Sequence, residues 1–181
     1  WLLNSFVGNY LPTTYVPTIF DNFQLSQPIQ GKYISFWDTP GHNDYSSIRT
    51  LSYSETDLFL ICFDISNPES LSNIETKWIP EIRENVYEYK CALIGLKKDL
   101  RDNNDNDNNN NSPNTLTSIQ QGEDTSNHIN SIGYFEFSSL RRDPSNFLNE
   151  LMILAINSST PNRSHKHSSN KIRKKFDCLR T

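Results

Sequence analysis

Two short segments carry residues suited to handling a phosphorylated ligand. In the first, Asp38-Thr39-Pro40-Gly41-His42 follows Tyr33-Ile34-Ser35-Phe36-Trp37, whose alternation reads as a strand. An acid at the C-terminal end of a strand sits where α/β sheets bind ligands, and its oxygens suit Mg²⁺ held through water. Gly41, having no Cβ, lets a bare backbone N–H approach a terminal phosphate. Alone, Asp-x-x-Gly is also an ordinary turn. In the second segment, Gly95-Leu96-Lys97-Lys98-Asp99 ends another apolar run. There a carboxylate can accept two hydrogen bonds from the ring N–H and amino group of guanine, a pair adenine does not present. The aliphatic stem of Lys97 can lie along the base. A surface Lys-Lys-Asp is common, so specificity comes from the two segments together.

Positioning these segments requires a sheet. Tyr33 to Trp37, a Gln30-Gly31 turn and an edge strand around Asn22 to Gln27 predict a hairpin. Asp57 to Ile65 and Cys91 to Leu96 are continuous apolar runs, the pattern of strands covered on both faces of a parallel sheet. Between them Leu71, Ile74, Trp78, Ile82 and Val86 recur at helical spacing after the cap Asn67-Pro68, with Pro80 expected to kink the helix. Tyr134 to Phe137 reads as another strand, and Asp143-Pro144 opens a final helix with Phe147, Leu148, Leu151, Met152 and Ala155 on one face. Trp1 to Val7 reads as the end of a helix. Strands alternating with helices make the class α/β.

The 181 residues suffice for one domain with an appendage. No apolar run approaches the length of a membrane-spanning helix and no secretory signal is visible, so a cytoplasmic body is expected. Cys62, Cys91 and Cys178 show no metal-ligand spacing. The formal charge of -4 hides an asymmetry. Residues 161–181 hold seven Lys/Arg against one acid, leaving ten against twenty in the remainder. Tail and body are therefore expected to have different partners. The Asp/Asn-rich stretch at 102–114 lacks apolar residues to offset ordering and is expected to be a disordered insertion. The boundaries that follow are a domain over 1–159 and a flexible basic tail over 160–181.

Tyr15-Val16-Pro17-Thr18-Ile19-Phe20-Asp21-Asn22 resembles the effector loop of Rho/Rac small GTPases. The likeness continues in order and spacing through Trp37-Asp38-Thr39, Leu51-Ser52-Tyr53, Leu60-Ile61-Cys62-Phe63, Lys77-Trp78, Asp99-Leu100-Arg101-Asp102 and Phe137-Ser138-Ser139-Leu140, covering roughly residues 1–157. It implies a mostly parallel six-stranded sheet with helices on both faces, the P-loop GTPase fold. It also implies GTP or GDP with Mg²⁺ as cofactors. By this resemblance Thr18 coordinates Mg²⁺ and touches the γ-phosphate, Asp38 holds Mg²⁺ through water, and Gly41 donates its amide to the γ-phosphate, with Thr39, Pro40 and His42 in the same loop. Lys97 and Asp99 read the guanine, with Leu96 and Lys98 in the same nucleotide-binding segment, and the backbone of Ser139 and Leu140 meets its carbonyl oxygen. Tyr15, Val16, Pro17, Thr18, Ile19, Phe20, Asp21, Asn22 and Phe23 form the effector region. Expected partners are effectors, exchange factors and GTPase-activating proteins, and no nucleic acid.

The pattern is broken in places. No G-x-x-x-x-G-K-[ST] loop occurs between Trp1 and Thr181, and by the resemblance it and the first strand are expected immediately before Trp1. His42 stands where the family has the glutamine that orients water, and Asn43 where it has glutamate. Two readings follow: the imidazole positions water instead, or turnover is slow and the GTP state persists. Leu96 replaces a Thr or Asn, and Leu11 a phenylalanine near the base, so faster nucleotide exchange is expected. A pseudo-GTPase that presents its effector surface without turnover is the alternative reading. In the tail, Arg163, Lys166, Lys171, Arg173, Lys174 and Lys175 precede Cys178, as in a polybasic segment that adheres to anionic lipid. The family's lipidation maps onto Cys178, although Arg180 and Thr181 depart from a C-a-a-X box. The expected location is peripheral, on the inner face of the plasma membrane.

Overall fold

Burial on both faces selects the central strands. In the computed structural model, which describes residues 2–6, 20–25, 28–104, 116–140, 144–157 and 173–180, the apolar runs form strands β3 (Leu58–Asp64) and β4 (Cys91–Leu96). They pair in parallel from Phe59 opposite Cys91 to Asp64 opposite Leu96. Upstream, β1 (Asp21–Gln24) and β2 (Tyr33–Asp38) pair antiparallel around a turn in which Gln30 and Gly31 have φ of 48° and 74°. The hairpin is thus as the sequence suggests, with glycine where left-handed backbone is needed. Beyond β4, β5 (Tyr134–Phe137) adds in parallel.

The sixth strand is not where the sequence reading put one. Arg173–Arg180 forms β6, parallel to β2 on one side and to β3 on the other, giving the order β1-β2-β6-β3-β4-β5. The expectation of a flexible tail over 160–181 and a domain ending near Ser159 is corrected here: 173–180 is a central strand, while 160–172 lie outside the described residues. The physical reason is alternation. Phe176 and Cys178 enter one core, Leu179 the other, and all three are buried. A composition rich in Lys and Arg concealed that pattern.

Helices cover both faces. One layer comprises α1 (Leu2–Phe6) and α7 (Pro144–Asn157), whose Leu2, Leu3, Phe6, Leu148, Leu151 and Met152 pack on Ile34, Phe36, Leu60, Ile94 and Phe176. The other contains α2 (Ser46–Ser52), α3 (Pro68–Asn73), α4 (Ile79–Asn85) and α6 (Ile119–His128). Tyr53, Ile74, Trp78, Ile79, Ile82 and Ile129 from this side meet Phe59, Ile61, Phe63 and Leu93. Between α3 and α4 a π-helical turn, Ile74–Trp78, precedes Pro80, so the ring's missing N–H is met by a change of winding rather than a break. The α6 helix opens with a capping box, Ser118 with Gln121. Of the disordered insertion expected at 102–114, residues 102–104 belong instead to α5 (Asp99–Asn104), and 105–114 lie outside the described residues. The three cysteines are free and buried. Among the described residues no helix is long and apolar enough to cross a membrane.

Candidate nucleotide site

Because β2, β6, β3, β4 and β5 run parallel, their C-terminal ends share one edge of the sheet, and the candidate residues fall along it. Asp38 ends β2 and is 4 % exposed, and the adjoining Thr39 and Pro40 are buried too. Thr39 donates both its amide, at 3.3 Å, and its hydroxyl, at 2.8 Å, to the carbonyl of Cys178. The buried carboxylate of Asp38 has the hard-oxygen chemistry that Mg²⁺ takes. Thr18, its expected companion, lies outside the described residues, as do Leu11 and Tyr15 to Ile19 of the effector loop. Phe20 is described, its ring edge-on to Trp37 at 5.2 Å. Asp21, Asn22 and Phe23 form the start of edge strand β1, with Asp21 and Asn22 exposed.

The segment after Asp38 is held by two cations. Arg49, buried on α2, donates Nη1 to the carbonyls of Pro40 at 2.7 Å and His42 at 3.1 Å. Lys77 donates Nζ to the carbonyl of Gly41 at 2.9 Å. Arg49 is in turn clasped by Glu81, while both cations lie over the Trp78 ring, at 4.9 and 4.2 Å. Burial pushes the Glu81 carboxyl up, but Arg49 and the Tyr53 hydroxyl outweigh it and the net shift is downward. Three consecutive carbonyls are thereby tied to α2 and the π-helical turn. His42 itself is exposed, its Nδ1 accepting the Asp44 amide at 3.4 Å. Nearby, Tyr45, Ile48 and Leu51 leave apolar surface in solvent, Leu51 to 79 %.

At the other end of the edge, the base-reading candidates are partly prearranged. Asp99 starts α5 and accepts the Ser138 hydroxyl at 2.5 Å through Oδ1. Lys97 adopts φ 66° and pairs with Asp64, at the end of β3, at 2.5 Å. Burial raises the Asp64 carboxyl, but Lys97 and Ser66 more than offset it, so the net shift is downward. Leu96 ends β4 half-buried, and Lys98 is exposed. Ser139 is half-buried and Leu140 exposed, with the Leu140 amide donating to the Ser138 hydroxyl at 3.3 Å. Arg49, Glu81, Asp64 and Ser138 escaped the sequence reading. Ser138 lies beside the quoted Ser139-Leu140, and Arg49 and Glu81 sit on helices whose polar contacts span 32 residues.

Cys178, the expected lipid acceptor, is fully buried in β6, its Sγ 3.6 Å from that of Cys62. The thiol has no exposed surface there, so the exposure that lipid attachment needs is lacking.

A mostly parallel α/β sheet with an aspartate-glycine loop at one strand end and a lysine-aspartate pair three strands away defines the small GTPase class. A model of the Ras family matches residues 1–156, and the chain belongs to that family. As a class such proteins bind guanine nucleotides, act as GTPases and meet effectors, exchange factors and activating proteins.

Proposed function

We propose that this protein is a guanine-nucleotide switch of the Rho/Rac type, whose GTP form engages effectors of cytoskeletal signalling and whose GDP form releases them. The observation that carries the reading is the placement of Asp38 and Asp99 on one sheet edge, Asp99 held by Ser138 and the Asp38 loop tied down by Arg49 and Lys77. In this reading Asp99 and Lys97 hold guanine, with the backbone of Ser139 and Leu140 at its carbonyl oxygen. Asp38 with Thr18 holds Mg²⁺, and Gly41 faces the terminal phosphate. Mg²⁺, when bound, neutralises phosphate charge. The effector surface runs from Tyr15 to Phe23. The exposed Tyr45, Ile48 and Leu51 supply apolar area beside the same loop for regulators.

Turnover is slow, because His42 points into solvent toward Asp44 and stands where the family glutamine orients water. The protein resides at the cytoplasmic side of an anionic membrane, to which the basic residues upstream of Cys178 adhere. Lipid attachment to Cys178 belongs to a form in which β6 has left the sheet.

The test is competition between guanine and adenine nucleotides for residues 1–181, with Mg²⁺ present. With no G-x-x-x-x-G-K-[ST] loop in these residues, binding is weak, but guanine is preferred and Asp99→Ala erases the preference. Equal or absent binding of GDP and ADP by the parent chain overturns the reading. Single-turnover hydrolysis beside His42→Gln then checks the rate, which rises in the variant.

A further inference from the structure

The C-terminal strand is chemically unlike the strands that flank it. From Leu58 to Phe63 and from Cys91 to Gly95 every residue of β3 and β4 is buried and none is charged. By contrast β6, equally central, carries Asp177 with no exposed surface, and one of its carboxylate oxygens, Oδ1, has no hydrogen-bond partner. The other oxygen receives the Thr56 hydroxyl and lies 3.8 Å from the Lys175 ammonium. Lys175 itself is half-buried over the Trp37 ring and donates to the carbonyls of Ser52 and Ser54. A buried carboxylate with an unsatisfied oxygen is costly and favours the state in which water reaches it. Fifteen residues, 158–172, separate α7 from β6, so the strand can leave without pulling on α7.

What the strand holds is the second observation. Cys178 lies opposite Asp38 in register, and its carbonyl takes both donors of Thr39. Among the described residues this is the tie between β6 and the loop that begins at Asp38. When β6 leaves, Thr39 loses two hydrogen bonds and β2 loses its inner neighbour. A segment that opens apart from the rest of the fold does so at a free energy below that of global unfolding.

We propose that Arg173–Arg180 is a detachable strand whose docking sets the position of the Asp38–Gly41 loop, so that the C-terminal segment and the candidate nucleotide site are coupled. The docked form hides Cys178 and fixes the loop. The released form exposes the thiol and frees the loop. By linkage, whatever binds the released tail loosens the loop, and whatever orders the loop holds the tail in. The coupling deepens the proposed function by giving the site a regulator within the chain, and it rests on that reading only for what the loop binds.

The experiment uses the full chain at pH 7.4, pulse-labelled with N-ethylmaleimide and read by mass spectrometry at each cysteine, alongside amide exchange at Thr39. The Cys178 thiol is expected to label at least about tenfold faster than Cys91 in β4, and at least about tenfold slower than in the denatured chain. The Thr39 amide exchanges in step with Cys178 labelling, while the Leu93 amide, bonded to Gly133, stays protected. Asp177→Asn slows both Cys178 labelling and Thr39 exchange by about tenfold at neutral pH. Thr39→Ala, which removes one bond to the strand, speeds Cys178 labelling by about three- to tenfold.

Labelling of Cys178 no faster than Cys91 would overturn the proposal, since the strand then opens only with the whole fold. So would labelling at the denatured rate with Thr39 still protected, since another segment then fills the slot. Thr39 exchange that ignores Asp177→Asn, or Cys178 labelling that ignores Thr39→Ala, also refutes the coupling. None of these readouts needs a nucleotide. A chain that ignores GDP and GTP therefore sinks the proposed function, while the coupling stands or falls on labelling and exchange.

Discussion

Arg49 and Glu81 meet in a two-pronged pair, Nε to Oε1 at 2.9 Å and Nη2 to Oε2 at 2.6 Å, that fastens α2 to α4 beneath the loop of residues 40–42. The guanidinium is fully buried, and its remaining nitrogen is spent on the Pro40 and His42 carbonyls. Removing it strands Glu81 and two backbone acceptors at once. Arg49→Ala is expected to cost about 3 to 5 kcal/mol in denaturant unfolding. Arg49→Lys recovers only part, because an ammonium cannot span both carboxylate oxygens and the carbonyls. A loss below about 1 kcal/mol for the alanine variant would mean the clasp is not formed in solution.

Asp177 gives stability an unusual slope. Burial pushes its carboxyl up to about 6, against partial relief from Thr56, Lys175 and Ser52. A folded pKa above the unfolded value near 3.9 means that the contribution is full at low pH and is lost as pH rises through about 6. Between pH 4 and 6.5 wild-type stability therefore falls by about 2 kcal/mol from this group. Asp64 and Glu81, with lowered values, act oppositely, and their contribution disappears as pH falls below the ordinary carboxylate range. Stability peaks on the acid side of neutrality. In Asp177→Asn the fall above pH 4 vanishes, as equilibrium unfolding at a series of pH values would record; an unchanged slope in the variant removes Asp177 as its source.

How much of this was legible in the sequence depended on whether a residue's role was local. Strands β3, β4 and β5 announce themselves by apolar runs, and α3 by Asn67-Pro68, because those signals need no partner. Asp38, Gly41, Lys97 and Asp99 stand out because strand ends are where α/β sheets place ligands. The strand β6 was hidden because three basic residues precede its apolar alternation and its pairing partners lie more than a hundred residues away. The helix α6 was missed for a related reason. Beyond Ile119 it carries no large apolar side chain, and its tolerated Gly122 makes sense only once Tyr134 is seen against it.

Gly122 lets α6 pack against Tyr134 of β5. A Cβ built there would lie 2.3 Å from the Tyr134 ring, and that ring is fixed by stacking on Phe63 and by its hydroxyl bond to Glu136 at 2.7 Å. Alanine normally favours a helix by about 1 kcal/mol over glycine. Here the overlap reverses the sign, because the tyrosine cannot swing aside without breaking both contacts. Gly122→Ala is expected to destabilise by about 1 to 3 kcal/mol, measured by thermal or denaturant unfolding. Gly122→Ala combined with Tyr134→Leu, which clears the space, recovers part of the loss. A stabilised single variant would place the helix farther from the sheet than its contacts indicate.

Ser138 offers the sharpest separation between structure and recognition. Its hydroxyl donates to Asp99 Oδ1 at 2.5 Å and accepts the Leu140 amide at 3.3 Å, bridging the two loops that the proposed function assigns to guanine. Neither bond lies in the apolar core, so Ser138→Ala is expected to leave global unfolding within about 1 kcal/mol of the parent. What changes is the aim of the carboxylate. With one oxygen unheld, Asp99 must be ordered by the ligand itself, at a cost of about 0.5 to 1.5 kcal/mol, equivalent to roughly three- to tenfold in affinity. Titration with GDP and ADP distinguishes the cases. Guanine affinity falls while adenine affinity stays where it was, and Ser138→Thr, which keeps the hydroxyl, restores the difference. Equal losses for both bases would show that Ser138 acts on the phosphate side or on the fold, and would remove Asp99 as the reader of the base.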